Sequence, residues 1–490
     1  MPDAVLKGSP MDQLATIDRP SRLAGPIVAL LAAAVALVSA LPYAGGWNDG
    51  SRLATVETLV DQQALEIDHS MFVRGAGSDP AAPNPYSPDD LDLKTNGTRD
   101  KLRINGHYYS DKSPLPAVTL AGWYLVLKRT INLEAREEPG RFCYWMTVGS
   151  SGLGYVVAVW CVYQMGLVVG LPLSTRLLLT ASLALASVAP AYARHVNNHA
   201  MLLGVAAALV LSLARLAREV DERRMPWSRL LEAGTMMGLG YSIDLGVGPP
   251  LVLATTALVA WRTRRLTAIV VFVLAAAPWI GGHHALNHYI GGTLAPANSV
   301  PEYVQWPGSP FTPENMTGGW AHKSVGHFLL YALDLLVGKQ GFLSHNLPMF
   351  PAVAGFFILW RRNPVQRPEL LFCAALSVGA WLVYAVGSTN HSGNCCSVRW
   401  FVPLLAPGYY VLAELLRELP SYRRDLLLLS GFGAVLAAVC WWHGPWYSRV
   451  PLGWGFWVIY PAALVAWGAC ELARRRQTAL VSSGTMNNTG

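Results

Sequence analysis

The feature that most constrains this chain is a series of apolar runs, each near the length of helix that crosses a bilayer. A hydrocarbon core of roughly 30 Å takes about 20 residues of α-helix. The runs lie at 24–43, 142–164, 173–191, 200–217, 229–244, 247–261, 266–285, 343–360, 369–387, 401–417, 425–442 and 453–472. With 52% hydrophobic and 14% charged residues, the chain also has more apolar surface than a soluble core can bury. We therefore expect an all-α polytopic membrane protein with about twelve transmembrane helices.

Short arginine clusters between these runs predict the orientation. They lie at 223–224, 262–265, 361–362, 423–424 and 474–476. Cytoplasmic loops carry an excess of Lys and Arg, and an even number of crossings places both termini on that same side. Residues 1–20 and 477–490 are then cytoplasmic tails of a multi-pass protein of the plasma (inner) membrane. Because the net charge of +7 is explained by membrane anchoring, we expect no nucleic-acid partner.

Two long loops lie on the opposite, extracytoplasmic face in this topology. They span 44–141 and 283–325, and loops of that length are usually functional or disordered. In the first loop, 51–67 has the pattern of an amphipathic interfacial helix, and the apolar stretch 115–127 is too short to cross. Basic residues follow that stretch, and this topology places them on the extracytoplasmic side, against the usual excess of Lys and Arg in cytoplasmic loops. The orientation of 115–141 therefore stays open. We divide the chain into a catalytic module, 21–325, and C-terminal transmembrane helices, 326–476.

Two pairs of an acid and a base lie in the first loop, each at the start of an interfacial helix. Asp49 precedes Arg52 at the membrane exit of the first run, and Asp111 precedes Lys112 before two prolines. Each pair alone would suit a helix cap with a counter-ion. Since both pairs lie at the same membrane depth, we expect them to share one site.

In the order and spacing of these residues the chain resembles the GT-C superfamily of membrane glycosyltransferases, in particular the protein O-mannosyltransferases and the lipid A aminoarabinose transferases. The resemblance implies a GT-C-like helical bundle in which Asp49 is the catalytic base. It also implies that Asp111 and Lys112 hold a metal and the lipid phosphate. The chain departs from the family pattern at Gly50, where a second acid is usual, and the box reads Lys-Ser-Pro rather than Lys-Pro-Pro.

The chemistry of such an enzyme fits these residue types. A sugar carried on a polyprenyl phosphate has a phosphate leaving group, which calls for cations at the level of the lipid headgroups. Arg52, Lys112 and Arg399 are the candidates for phosphate binding. Asp49 would accept the proton of an acceptor hydroxyl, and the acceptor is a lipid, a glycan or a protein.

Histidines near the outer ends of two helices suggest the remaining metal ligands. We expect Asp111 with His199 and His288 to bind a divalent ion, either Zn, Mn or Mg. A lone interfacial His is, however, more often a hydrogen-bonded structural group. Further candidates for the site are Asn198, His284 and Tyr109.

Asp244 and the overall architecture leave alternatives open. Asp244 falls between two apolar runs, where an acid is a functional candidate by default but serves equally well to bind backbone groups at a helix break. A polytopic transporter would have as many helices, although its polar residues would lie at mid-membrane and its two halves would be related. A non-catalytic subunit that keeps the fold is the other alternative, and Gly50 is the feature that favours it.

Overall fold

A computed structural model describes residues 19–74, 83–312, 316, 318–447 and 452–486. The first half of the chain forms helices α1 Arg19–Ser39, α2 Trp47–Asp61, α3 Leu91–Asn96, α4 Pro114–Ile131, α5 Pro139–Thr147, α6 Leu153–Val169, α7 Leu173–Leu185, α8 Ala189–Tyr192, α9 Asn198–Asp221 and α10 Trp227–Ile243, with strands β1 Lys101–Ile104 and β2 His107–Ser110 between α3 and α4. The second half forms α11 Gly248–Thr263, α12 Leu266–Gly291, α13 Pro301–Val304, α14 Val325–Val337, α15 Phe342–His345, α16 Met349–Arg362, α17 Arg367–Gly387, α18 Leu405–Glu418, α19 Arg423–His443 and α20 Phe456–Met486. The fold is thus helical, with one small sheet.

Helices of membrane-spanning character account for much of the chain. Within the described ranges, six helices are long and apolar enough to cross a membrane, and a seventh span results if the bent pair formed by 325–345 and 349–362 is counted as one. Each of the twelve predicted apolar runs overlaps a helix of the structure. The chain is therefore an integral multi-pass membrane protein, as its composition predicts.

The membrane-spanning helices differ in how deeply they are buried in the bundle. Helix α9 is the most deeply buried of the six spans, with 78% of its apolar window inside the protein, and it packs against α6 and α10. The corresponding fractions for α12 and α20 are 22% and 11%. Large exposed apolar side chains on these outer helices are what a bilayer accommodates. Helix α20 continues to Met486, into the segment that we predicted as a tail.

The first loop is more ordered and more buried than the sequence predicts. The helix predicted at 51–67 begins earlier, at Trp47, and residues 48–58 of it are buried, so it is an internal helix and not an amphipathic one at an interface. The stretch 115–127 forms α4, which has 18 residues and packs against α2. The sequence pattern underestimated this packing because the partners of both helices come from elsewhere in the chain.

A two-stranded hairpin corrects the all-α prediction. Strands β1 and β2 pair antiparallel through a turn at Asn105 and Gly106, both of which have positive φ. Asn-Gly is the dipeptide that favours this two-residue hairpin turn. The hairpin ends at Ser110, directly before Asp111, so it sets the position of the predicted acid and base pair.

Candidate active site

A cavity of about 1190 Å³ opens where one set of helix ends meets. Its wall comes from segments that the predicted topology places on the extracytoplasmic side, among them the start of α2, the hairpin, the starts of α4 and α9, the turn after α10, the end of α12 and the segment 382–400. Six of the ten residues predicted for the site line it: Arg52, Asp111, Lys112, Asn198, His199 and Arg399. The structure therefore brings together the two halves of the chain that carry these residues.

Arg52 lies in the cavity wall with few partners of its own. It is 4% exposed, its Nε atom is 3.5 Å from the Asn48 side-chain oxygen, and its Nη1 atom has no hydrogen-bond partner among the described residues. Burial lowers the pKa of Arg52 to about 10, although Asp111 and Asp244 oppose that shift. The guanidinium is still charged at neutral pH, so it is a buried cation directed at open space.

The hairpin delivers Asp111 and Lys112 beside Arg52. Ser51 on α2 hydrogen-bonds to Ser110 at 2.6 Å and donates to Asp111 at 3.4 Å. The Lys112 ammonium pairs with Asp111 and Asp100, each at 2.7 Å. Burial raises the pKa of Asp111, and Lys112 lowers it. Lys112 is thus neutralised by two carboxylates, whereas Arg52 is not.

Arg399 reaches the cavity from the second half of the chain. Its backbone N–H donates to the Ser392 hydroxyl at 3.1 Å, and its guanidinium lies 5.5 Å from the ring of Trp446. The buried Nε atom of Arg399 has no hydrogen-bond partner in the part of the chain that the structure describes. The positive charge of Arg399 helps to lower the pKa of Arg52, and both guanidinium groups belong to residues of the same cavity wall.

Asp49, the predicted base, lies one layer behind the cavity wall. It is 1% exposed, and its Oδ2 atom accepts a hydrogen bond from the Gly45 backbone at 2.7 Å. Gly45, Gly46 and Trp446 line the cavity in front of it. A side chain built on Gly46 would touch both the Asp49 carboxylate and the Trp446 ring, which shows how closely the three lie.

Burial raises the pKa of Asp49 to about 7, with backbone hydrogen bonds from Gly45 opposing the shift. His195 lies beside it, with its Nδ1 atom 3.5 Å from Oδ2. Burial, together with the charge of Arg194, lowers the pKa of His195 to about 3, so His195 is neutral and does not hold Asp49 in its ionised form. A carboxyl group with this pKa can both take up and release a proton at neutral pH.

Gly50 is explained by its neighbours. A Cβ atom at this position would overlap the Tyr86 hydroxyl, which donates to the Phe72 carbonyl at 2.7 Å. The acid that is usual here in the resembled family would not fit against this buried contact.

Three further residues predicted for the site, Tyr109, His284 and His288, are not part of the cavity wall that the described residues form. The Tyr109 hydroxyl donates to Glu66 at 2.8 Å. His284 is hydrogen-bonded to Tyr241 at 3.0 Å and to the Leu294 carbonyl at 2.7 Å, the structural role that a lone His often has. His288 is exposed on α12.

The donor set does not fit a preformed metal centre. The described residues contain no group of three or more His, Cys, Asp or Glu side chains placed to share an ion. Asp111 already neutralises Lys112, and a metal would have to displace that ammonium. His199 lies near Asp244 and not with His288, so the predicted ligand set of Asp111, His199 and His288 remains a prediction.

The sequence did not predict a role in the site for four residues of the cavity wall. Asp100 and Trp446 have no distinguishing local pattern, because each acts through a residue in another segment, Lys112 and Arg399 respectively. Tyr384 lies within an apolar run and looks like a core aromatic. Asp244 did carry a signal, as an acid between two apolar runs, but its partners could not be identified from the sequence.

Comparisons with known proteins give only distant similarities. No protein-family model matches the sequence, and no match is found among the curated proteins. The structure is similar to crystal structures of ArnT from Cupriavidus metallidurans in the apo state, with 13% identity over 91% of this chain and 74% of that one and a TM-score of 0.48, and bound to undecaprenyl phosphate, with 14% identity over 93% and 79% and a TM-score of 0.46. It is also similar to the apo oligosaccharyltransferase of Archaeoglobus fulgidus, with 11% identity over 90% of this chain and 56% of that one and a TM-score of 0.41.

ArnT, a lipid A aminoarabinose transferase, and the oligosaccharyltransferase are members of the GT-C superfamily. The solved structures that this chain is similar to thus include the kind of enzyme that its sequence resembles. Since the three TM-scores lie below 0.5, the residues of the cavity carry the functional inference.

Proposed function

We propose that this chain is a membrane glycosyltransferase that moves a sugar from a polyprenyl-phosphate donor to an acceptor hydroxyl at the extracytoplasmic face. The observation that carries the proposal is the pair of guanidinium groups, Arg52 and Arg399, which both line one cavity and which each keep a buried nitrogen atom without a hydrogen-bond partner among the described residues. Buried polar atoms without a protein partner are uncommon in native proteins and often mark places where water, an ion or a ligand completes the hydrogen bonding. Two converging guanidinium groups suit a phosphate, which accepts paired hydrogen bonds from each.

Lys112 has a different role in this proposal from the one that its charge alone suggests. Because Asp100 and Asp111 neutralise it, it contributes less to phosphate binding than Arg52 and Arg399 do. It holds the two carboxylates in place, so the positive charge available to the phosphate comes from the two arginines. The phosphate of the donor and the phosphate of the departing carrier lipid are bound by the same pair.

The proposed reaction is a displacement at the anomeric carbon of the sugar. The acceptor oxygen forms a bond to that carbon, the bond from the carbon to the phosphate oxygen breaks, and the polyprenyl phosphate leaves with the bonding electrons. Asp49 takes the proton of the acceptor hydroxyl. Its pKa of about 7 suits this role, because a base works best when its pKa lies near the operating pH.

Trp446 controls access to Asp49 in this mechanism. The indole ring and Gly46 separate the carboxylate from the open cavity, so the acceptor hydroxyl reaches Asp49 only when the indole moves aside. Movement of one aromatic side chain would thus couple acceptor binding to proton transfer, and it would keep the base away from water until an acceptor is bound.

The full topology that we propose has twelve crossings, with both termini in the cytoplasm. Contacts at the other end of the bundle support it, because helix ends predicted to be cytoplasmic meet one another there. Arg262 pairs with Glu369 at 2.5 Å and with Asp221 at 3.3 Å, and the Asn363 amide donates to Glu418 at 3.1 Å. The outer ends converge separately on the cavity.

The proposal is tested by sugar transfer in membranes that contain the full chain. Labelled undecaprenyl-phosphate sugars are supplied, and label is followed into lipid, glycan and protein fractions. Transfer that depends on this chain and leaves undecaprenyl phosphate supports the proposal. Movement of label into vesicles without bond cleavage would identify a transporter instead, and binding of the lipid without either outcome would identify a non-catalytic subunit.

A further inference from the structure

A second group of buried polar side chains lines the same cavity, at the break between α10 and α11. Asp244 lies in this break and is 7% exposed. Its Oδ1 atom accepts hydrogen bonds from the Tyr384 hydroxyl at 2.6 Å and from the backbone N–H groups of Gly246 and Val247 at 2.9 and 3.3 Å. The Tyr384 ring in turn stacks on Trp400, with 4.2 Å between centroids and 5° between planes. One carboxylate oxygen is therefore fully used in holding Asp244 in a fixed orientation.

The other oxygen and its neighbours are less completely satisfied. Oδ2 accepts a hydrogen bond from the Asn198 amide at 3.0 Å, and the His199 Nδ1 atom is 3.4 Å away. Asn198 and His199 are 7% and 3% exposed, yet the Asn198 Oδ1 and His199 Nδ1 atoms have no hydrogen-bond partner within the described ranges. Both residues line the cavity, and unpartnered polar atoms of this kind favour a polar ligand there.

The charges around this group select the kind of ligand. Arg399, Arg52 and Lys112 all act on His199, so a metal cation would be repelled there. A second phosphate would be repelled by Asp244. Hydroxyl groups both donate and accept, which matches the unpartnered Asn198 Oδ1 atom, the remaining lone pair of the Asp244 Oδ2 atom and either tautomer of His199.

The position of the group relates it to the phosphate site. Arg52, Asp111 and Asp244 all line the same cavity, and the charges of Asp111 and Asp244 both act on Arg52. In a sugar phosphate, the sugar ring follows the phosphate after a single bridging oxygen. A ring attached to a phosphate on Arg52 would thus lie in the cavity that Asp244 lines.

We propose that Asp244, Asn198 and His199 bind the hydroxyl groups of the transferred sugar and that the donor carries an uncharged sugar. This proposal rests on the proposed function, since it uses the phosphate site as its reference point. Asp244 is the specificity-determining residue, because its carboxylate accepts sugar hydroxyls and repels the carboxylate of a uronic acid. Tyr384 is a positioning residue that orients it.

The test compares binding of lipids with and without a sugar by the purified full-length protein. Dissociation constants are measured for undecaprenyl phosphate, undecaprenyl-phosphate glucose, undecaprenyl-phosphate mannose and undecaprenyl-phosphate glucuronate. Asp244→Asn is expected to weaken binding of the better neutral donor by about 10-fold, because a hydrogen bond to a charged group is lost, while binding of undecaprenyl phosphate changes by less than about 2-fold. Tyr384→Phe removes only the orienting hydroxyl and is expected to weaken the same donor by about 3-fold.

Several outcomes would overturn the sugar subsite and leave the proposed function intact. They are equal weakening of sugar-bearing and sugar-free lipids by Asp244→Asn, no weakening of either, or glucuronate donor binding as tight as that of the neutral donors. If Asp244→Asn lowers the melting temperature, Tyr384→Phe carries the same comparison. Failure of the unmodified protein to bind undecaprenyl phosphate would instead contradict the proposed function, and with it the subsite.

Discussion

Asp49 and Asp244 are two buried carboxylates at one cavity, Asp49 behind its wall and Asp244 in it, and they differ in how the protein surrounds them. Asp49 accepts a hydrogen bond from the Gly45 backbone and also interacts with the Gly46 backbone and with Trp446; it has a neutral histidine beside it and a pKa raised to about 7 by burial. Asp244 accepts hydrogen bonds from two side chains and two backbone N–H groups, and it lines the open space. Burial raises the pKa of Asp244 as well. Asp49 keeps one carboxylate oxygen without a hydrogen-bond partner among the described residues, which suits proton transfer, whereas both oxygens of Asp244 accept hydrogen bonds, which suits binding.

The largest expected effect separates these two roles. Asp49→Asn removes the proton acceptor and should lower the turnover rate at saturating donor by about 100-fold or more. Asp244→Asn should act mainly on the donor concentration needed for half-maximal rate, so that its loss is partly recovered by added donor. Steady-state kinetics of both variants measure this, with donor binding as the control for folding. The reverse pattern would exchange the two assignments.

The next largest effect concerns the three cations that line the cavity. Arg52→Gln and Arg399→Gln should each weaken binding of undecaprenyl phosphate by about 10- to 100-fold, since each removes charge-assisted hydrogen bonds. Lys112→Gln should have a smaller effect, because Asp100 and Asp111 already neutralise that ammonium. Arg424→Gln, at an exposed position in the first turn of α19, is the matched control. Equal losses for Lys112 and the two arginines would contradict the division of roles.

A third effect follows from the raised pKa of Asp49. Below pH 7 the carboxyl is mostly protonated and cannot accept a proton, so the transfer rate should rise as the pH passes through about 7. At pH 6 the rate should be about one tenth of its plateau, given one unit of separation from the pKa. The residual rate of Asp49→Asn should lack this dependence. A rate that falls between pH 6 and 8 in the unmodified enzyme would exclude Asp49 as the base.

The raised pKa of Asp49 also affects stability, with the opposite sign. The folded state favours the protonated carboxyl, so this group stabilises the fold fully below its ordinary pKa and the contribution is lost as the pH rises to about 7. Thermal unfolding of the unmodified protein and of Asp49→Asn, followed between pH 4 and 8, would show the difference. The variant should lose less stability across this interval than the unmodified protein does.

The smallest expected effect is that of a chelator. Lys112 occupies the carboxylates that would otherwise bind a divalent ion, so EDTA should leave the transfer rate nearly unchanged. Loss of activity with EDTA, and its recovery on addition of Zn²⁺, Mn²⁺ or Mg²⁺, would instead establish the metal that the sequence resemblance implies. Binding of undecaprenyl phosphate in EDTA is the control for intact structure.

The sequence predicts the helices of this fold better than it predicts the first loop. The hydrophobic runs identify helices because an apolar helix is stable in a membrane whether it packs against lipid or against neighbouring helices. In the first loop, α2 is buried by partners far away in sequence, and no local pattern reveals them. The hairpin was missed although Asn105-Gly106 signals such a turn, because the flanking strands are only four residues long.

For the site, local motifs identify Arg52, Asp111 and Lys112, because acid and base pairs at the starts of predicted helices stand out in a chain with only 14% charged residues. They do not reveal that Asp100 forms a second ion pair with Lys112, because the two residues lie in different segments of the first loop. They also do not reveal that Tyr384 orients Asp244, because Tyr384 lies in an apolar run far away in the sequence. Nor does the sequence show that Asp49 lies behind Trp446, some 400 positions away in the chain. Charges are visible in a sequence, and the groups that neutralise or cover them are not.

The most direct test is a structure of the full-length protein with undecaprenyl phosphate bound in a lipid nanodisc. The phosphate should lie within hydrogen-bond distance of both Arg52 and Arg399, in the cavity that Asp244 lines, with the polyprenyl chain leaving between helices toward the lipid. A phosphate bound at the arginine clusters on the opposite face, or in contact with neither Arg52 nor Arg399, would contradict the account.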